Sequence, residues 1–241
     1  MNSKYFYNGK ELELFSQAKN WKHYFSGFII PYLKGNVLEA GPGMGSTTPY
    51  LNVSKSITSW LLLEPDGQFC DTLKKAIADK KLPGNCSVQQ GDIFSLNKKD
   101  FFDAVIYIDV LEHIEEDSTE VNKAIALLKP HGYLIILSPA FQSLYSSFDK
   151  AIGHFRRYDK KSLKAVANDQ VTTIKTIYLD SCSCLLSWGN KLMMKQSYPT
   201  SRQIKIWDKV FVPLSRMTDR LVSYNFGKSI LGVWKKNERF S

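Results

Sequence analysis

The chain has 241 residues, 44% of them hydrophobic and 23% charged, with a net charge of +9. This is the composition of an ordinary soluble domain with enough apolar material for one core. No apolar run reaches the length of a membrane span, and the opening MNSKYFYNGKELELF lacks a signal-peptide core, so a cytoplasmic location is expected. The four cysteines, Cys70, Cys86, Cys182 and Cys184, lack the spacing of a metal knuckle. They read as reduced thiols in or near the core, and no metal ligand set is assigned.

Residues 8–33 place Leu14, Ala18, Trp21, Phe25 and Phe28 on one stripe of an amphipathic helix, closed by Pro31 and Gly35. The period then changes. NVLEA, SWLLLE, CSVQQ, FDAVIYID and GYLIILSP are short apolar runs of the kind buried on both faces of a parallel sheet. Helices are expected between them at 46–53, 66–80 and 117–129, which makes the chain an α/β protein with helices on both sides of its sheet. KKSLKAVAND predicts a further helix, TTIKTIYLD a further strand and SILGVWKK a last one. The stretch 182–226 is too long for a connection and too apolar for a linker, so it is expected to fold over one end of the sheet as a helical lid. A single domain spanning 1–241 results, with an N-terminal helical cap at 8–33, a cofactor half at 36–140 and the insert at 182–226.

The segment VLEAGPGMGSTTPYL, residues 37–51, runs from a buried strand into Gly41, Gly43 and Gly45. A turn leaving a strand and opening a helix can bring its amides against a ligand, and side chains there would block the approach. Dinucleotide folds use G-x-G-x-x-G, whereas this sequence has Ser46 where the third glycine would fall, which disfavours a nicotinamide oxidoreductase. Glu39, before the loop, suits a cationic amine better than a phosphate. Glu64 ends the next strand, where a carboxylate can accept both hydroxyls of a ribose. Asp92 ends the third strand and can accept from an adenine amino group, with Ile93 covering its face. Asp109 ends the fourth strand beside the cleft, with His113 one turn beyond.

The ordered series VLEAGPGMGS, LLLEPD, GDIF, FDAVIYIDVLEHI and LLKPHGYLIILSP, about residues 36–140, resembles the class I S-adenosylmethionine-dependent methyltransferases. The resemblance implies a Rossmann-like seven-stranded sheet whose last strand is antiparallel. It implies S-adenosylmethionine as cofactor and S-adenosylhomocysteine as product. Glu39 and the three glycines would hold the methionine part, Glu64 with Pro65 the ribose, Asp92 and Ile93 the adenine, and Asp109 with Val110 the region of the sulfonium.

Methyl transfer needs alignment and exclusion of water, plus a base where the nucleophile must lose a proton. His113 and His154 are the candidates, although His113 can also simply shape the loop; His23 and His131 are read as structural. GHFRRYD gathers His154, Arg156, Arg157 and Tyr158 after the fifth strand. One guanidinium there could clamp an anionic acceptor group, the alternative being a loop tied by ion pairs to Asp149 or Asp159. The methyltransferases of small-molecule and glycan pathways that this chain resembles carry a comparable segment. Trp188, Met193, Met194, Tyr198, Trp207 and Phe211 of the insert could line an apolar acceptor pocket. Residues 182–241 hold eleven Lys and Arg against three acids, compatible with an anionic acceptor or with peripheral contact to a membrane-borne, lipid-linked one.

The expected activity is therefore methyl transfer to an O or N atom of a small-molecule, sugar-containing or lipid-linked acceptor. Two alternatives stand beside it: an RNA methyltransferase using the basic C-terminal region, and a non-catalytic regulator that binds the cofactor. Residues 109–112 read DVLE rather than an asparagine-proline-proline-aromatic motif, which argues against base N-methylation of nucleic acid. Sequence alone leaves the oligomeric state open.

Overall fold

The computed structural model describes residues 10–184 and 199–238. Helices α1 (Lys10–Ser16) and α2 (Lys19–Ile29) precede β1 (Gly35–Ala40), α3 (Thr48–Leu51), β2 (Ile57–Glu64), α4 (Gly67–Ala78) and β3 (Cys86–Gln90). Then come β4 (Phe102–Ile108), α5 (Asp117–Leu127), β5 (Leu128–Pro139), α6 (Ser147–Ala151), α7 (Lys160–Ala165) and β6 (Val171–Leu179). A C-terminal helical arm (Ser201–Ile206, Trp207–Phe211, Val212–Leu221) leads to β7 (Ser229–Lys236). The seven strands form one sheet in the order β3-β2-β1-β4-β5-β7-β6. The ladders from β3 to β5 are parallel, and β7 runs antiparallel to both its neighbours.

The continuous apolar runs bury both faces because alternate side chains go to opposite sides. In β4, Ala104 and Ile106 join one core with Val37, Trp60 and Leu62; Val105 and Tyr107 join the other with Leu38, Leu63 and Ile136. Helix α2 covers the first face through Trp21, Phe25 and Ile29, the stripe expected from the sequence.

Two expectations need correction. The stripe over 8–33 is not one helix: it breaks between Ser16 and Lys19, where Lys22 Nζ takes the carbonyls of Phe15 (3.1 Å) and Ser16 (2.8 Å) that end α1. The helix expected at 46–53 is a single turn, Thr48–Leu51.

The arm packs back across α2 through two carboxylates that charge counting had treated only as exceptions in a basic region. Asp208 accepts from Asn20 N (3.2 Å) and Trp21 N (2.9 Å) at the start of α2, whose own N-cap residue, Ala18, offers no side-chain acceptor. Asp219, fully buried, accepts from Tyr24 Oη (2.8 Å) and from the amides of Asp180 and Ser181, both 2.8 Å. The remainder of the expected lid, including Trp188, Met193, Met194 and Tyr198, lies outside the described residues. Among the described residues no helix is long and apolar enough to cross a membrane.

Candidate functional site

The strand order reverses between β1 and β4, which opens a crevice beyond their C-terminal ends. The loop after β1 forms one wall. Gly41, Gly43 and Gly45 have left-handed φ angles of 65°, 53° and 72°. A Cβ would lie 2.8 Å from Val110 Cγ2 at Gly41, 3.0 Å from Leu12 Cδ1 at Gly43 and 2.6 Å from Leu73 Cδ2 at Gly45. Close protein neighbours therefore require the bare backbone. The glycine amides are occupied as well: they donate to Leu63 O, Glu64 Oε2 and Pro42 O, each at 2.9 Å. Gly41, Pro42, Met44, Ser46 and Thr47 of the loop border the cavity, so what the loop offers there besides Gly41 is its side chains rather than free glycine amides.

Glu39 is 2% exposed and its Oε2 accepts from Thr48 Oγ1 and Trp60 Nε1, both 2.8 Å. Burial pushes its carboxyl up to about 7, against the pull of those two hydrogen bonds. It braces the loop from beneath, and does not face the cavity as the sequence had suggested. Glu64 accepts Gly43 N on Oε2 (2.9 Å) and Asp66 N on Oε1 (3.1 Å), and each oxygen keeps a further lone pair for a hydroxyl. Burial raises this carboxyl too. Pro65 follows at the rim, half-buried. Asp92 is exposed, with Oδ1 capping Phe94 N and Ser95 N at 3.0 Å. Ile93 is 1% exposed in the core and offers no face to a ligand; the ring at the surface there is Phe94, 53% exposed.

The second wall follows β4. Asp109 adopts φ 53° and borders a cavity of about 240 Å³ with Glu112, His113, His154 and Arg157. Its surroundings are protein, so burial raises its carboxyl to about 7, yet its own surface opens onto the cavity. Glu112 is fully buried, and among the described residues neither carboxylate oxygen makes a hydrogen bond of ordinary geometry, although Ser138 and its own backbone amide lie near enough to favour the charged form. Burial, and then the charge of Asp109, drive it strongly toward the protonated form. The rings of His113 and His154 meet edge to face, with centroids 4.5 Å apart. Burial and then the neighbouring His154 lower His113 to about 3. The roof is Leu12 and Phe15 of α1, Trp21, Lys22 and Phe25 of α2, and Trp207 of the arm.

The GHFRRY segment is built around Asp149, a fully buried residue of α6. Arg157 binds it through Nε–Oδ1 (2.9 Å) and Nη2–Oδ2 (3.0 Å), and His154 Nδ1 lies 2.9 Å from Oδ1. Burial alone would raise the Asp149 carboxyl, but His154 and Arg157 outweigh it and hold it well below the usual range. Arg156 turns the other way, to Asp117 Oδ2 (2.6 Å) and Glu115 O (2.7 Å). Tyr158 is 1% exposed, with its hydroxyl donating to Asp117 Oδ2 at 2.8 Å. Only Arg157 of the three borders the cavity, and its fork is already filled, so neither arginine is a ready anion clamp. Tyr158 is a post beneath the segment, because its one polar atom is tied down inside the protein.

Glu112, Asp149, Asp180 and Lys228 border the cavity although sequence reasoning did not place them there. Asp149 was legible in part: Ser146 and Asp149 form a capping box, with Ser146 N and Oγ both donating to Oδ2. Nothing in the local sequence marks Lys228, which arrives from the far end of the chain.

Residues 38–136 match the sequence model of the family described as "Methyltransferase domain". Over 76 residues the chain is 38% identical to the ribosomal RNA small subunit methyltransferase A of Wigglesworthia glossinidia brevipalpis; this stretch is 31% of the present chain and spans about a quarter, 27%, of that relative's length. Among solved structures, geranyl diphosphate methyltransferase in complex with S-adenosylmethionine is similar at a TM-score of 0.65 and 9% identity, covering 95% of this chain and 91% of its own. Coclaurine N-methyltransferase is similar at 0.60 and 12% identity, covering 89% and 71%. The cyclase SpnF shares the fold as well, at 0.63 and 13% identity, covering 96% and 95%. The fold is thus the Rossmann-like class I methyltransferase fold, and the match to the methyltransferase-domain sequence model falls on its first five strands. The residues present fit S-adenosylmethionine, the group bound in the geranyl diphosphate methyltransferase structure: each Glu64 oxygen keeps a lone pair for a ribose hydroxyl, and Asp109 borders the crevice.

Proposed function

We propose that the chain transfers a methyl group from S-adenosylmethionine to an O or N atom of a small-molecule acceptor held in the 240 Å³ cavity. The observation that carries this reading is the cavity's position. The glycine loop bounds one side, Asp109, His113 and His154 the other, and three separate chain segments roof it. The bound cofactor supplies an electrophilic methyl on a sulfonium that leaves as a neutral thioether. The protein's own contribution is alignment and exclusion of water, which the apolar roof of Phe15, Trp21, Phe25 and Trp207 favours. His113, held neutral by burial, is too weak a base at about 3 to carry the proton transfer itself, and instead suits a role in orienting the acceptor from the cavity wall. Lys228 borders the same space and offers a cation to an anionic acceptor group, a role the sequence had given to Arg156 or Arg157.

The stretch of identity to a ribosomal RNA methyltransferase and the basic arm favour RNA as a second acceptor class. The enclosed cavity favours the small molecule, because a base in a strand would have to pass the roof of α1 and α2. Calorimetric titration with S-adenosylmethionine, S-adenosylhomocysteine and NAD, followed by radiolabelled methyl transfer to panels of hydroxylated or amino small molecules and to ribosomal RNA, tests both. Cofactor binding with labelled RNA alone would overturn the small-molecule reading. Binding without transfer to either panel would favour a regulatory protein.

A further inference from the structure

We propose that Glu112, His113 and His154 bind a divalent transition-metal ion of the zinc class at the inner end of the cavity. One donor atom from each of the three lies within 4.8 Å of the other two. Glu112 is buried at the cavity's inner end and, among the described residues, neither of its oxygens makes a hydrogen bond of ordinary geometry; an orphaned carboxylate in such a place is expensive unless a cation meets it. His154 shows where that cation would sit. Its Nδ1 is held at 2.9 Å by Asp149, whose own oxygens are fixed by Arg157, so the Nδ1 proton points at Asp149. Nε2 then faces Glu112 Oε1 at 3.8 Å, too far for a hydrogen bond, so neither side chain satisfies the other directly.

Ligand atoms on a tetrahedral zinc ion lie about 3.4 Å apart, so the Glu112–His154 pair is close to the required span and His113 needs only a small inward shift. The second shell is in place: Asp149 orients His154 in a carboxylate–histidine arrangement, and the backbone of Ile152 and Gly153 holds His113. Two imidazoles and one carboxylate suit zinc, cobalt, nickel or iron(II) better than magnesium or calcium. All three ligands border the cavity, leaving coordination positions open toward an acceptor oxygen. That role for the ion rests on the methyl-transfer reading; its binding does not.

The test uses the full chain, freed of metal with a chelator and titrated with Zn²⁺ by calorimetry and with Co²⁺ by visible absorption. One ion per chain is expected, with cobalt ligand-field bands and no thiolate charge-transfer band. Glu112→Gln and His154→Gln should each weaken binding by at least the ten- to hundredfold seen on loss of outer-shell partners. His131→Ala, in a surface pair with Glu238, should leave it unchanged. Metal-free Glu112→Gln should melt at or above the wild-type temperature, because it removes an unpaired buried carboxylate, which separates lost binding from lost folding. A melting point well below wild type would instead assign Glu112 a structural partner. That outcome, no binding at micromolar ion, a thiolate band, or unchanged binding in both variants would overturn the proposal. Cofactor titration of the same samples is independent of these outcomes and tests the methyltransferase reading separately.

Discussion

Replacing Asp208 by alanine tests whether the C-terminal arm is what anchors the roof of the cavity. The Asp208 carboxylate is 5% exposed and takes Trp21 N at 2.9 Å, Asn20 N at 3.2 Å and Asn20 Nδ2 at 3.2 Å. It is in effect the N-cap of α2, supplied from residues nearly two hundred positions away. A cap lost to alanine costs about 0.5–2 kcal/mol, and hydrogen bonds to a charged acceptor about 1.5–3 kcal/mol each. These contributions overlap, so we expect a loss of about 2–4 kcal/mol for Asp208→Ala. For a chain of this size that lowers the melting midpoint by roughly 5–15 °C. Asp208→Asn keeps an acceptor oxygen and should lose less than half as much. Thermal and urea unfolding of both variants measures the stability. Since α2 and Trp207 roof the acceptor cavity, the alanine variant should also raise the acceptor KM more than it weakens cofactor binding. An unchanged midpoint for Asp208→Ala, or equal losses for both variants, would refute the capping argument.

Glu39 makes a pH-dependent prediction. Its folded-state carboxyl titrates at about 7 against an ordinary value of 4.5, so the folded chain holds a proton that the unfolded chain has already released between those values. Stability should fall as pH rises through 4.5 to 7 and then level off, a contribution of roughly 3 kcal/mol; Glu39→Gln should remove that part of the slope, and identical pH profiles of unfolding would refute it. Gly45→Ala places a Cβ 2.6 Å from Leu73 Cδ2 at φ 72°, so a loss of about 2–4 kcal/mol and weaker cofactor binding are expected, read by denaturation and calorimetry. Arg157→Ala removes the bidentate cation from the buried Asp149, leaving it His154 and Ser146 alone, and should cost about 3–5 kcal/mol. By contrast, Arg156→Ala breaks a part-exposed pair with Asp117 and should cost about 1 kcal/mol or less. Equal unfolding curves for the two arginine variants would mean that the two pairs are not different in kind.

The sequence by itself determined the sheet. The inner strands β1, β2, β4, β5 and β7 announced themselves as short apolar runs, since a strand buried on both faces has little polar side to blur the signal, while the edge strands β3 and β6 are more polar and half-exposed. The glycines of the β1 loop and the acids at the strand ends were legible for a related reason: a turn with left-handed backbone demands glycine locally, whatever surrounds it. Which atom each of these groups meets was decided by the tertiary structure. Glu39 turned inward to Trp60, the glycine amides found Leu63, Pro42 and Glu64, and the two arginines of GHFRRY parted to Asp149 and Asp117. Asp208 and Asp219 looked like minor acids in a basic tail, yet they tie that tail to α2. A periodic pattern reports which face of an element is buried, but a polar side chain's partner arrives from elsewhere in the chain. Only the folded chain brings Glu112 against His154, or Lys228 to the cavity that β1 and β4 begin.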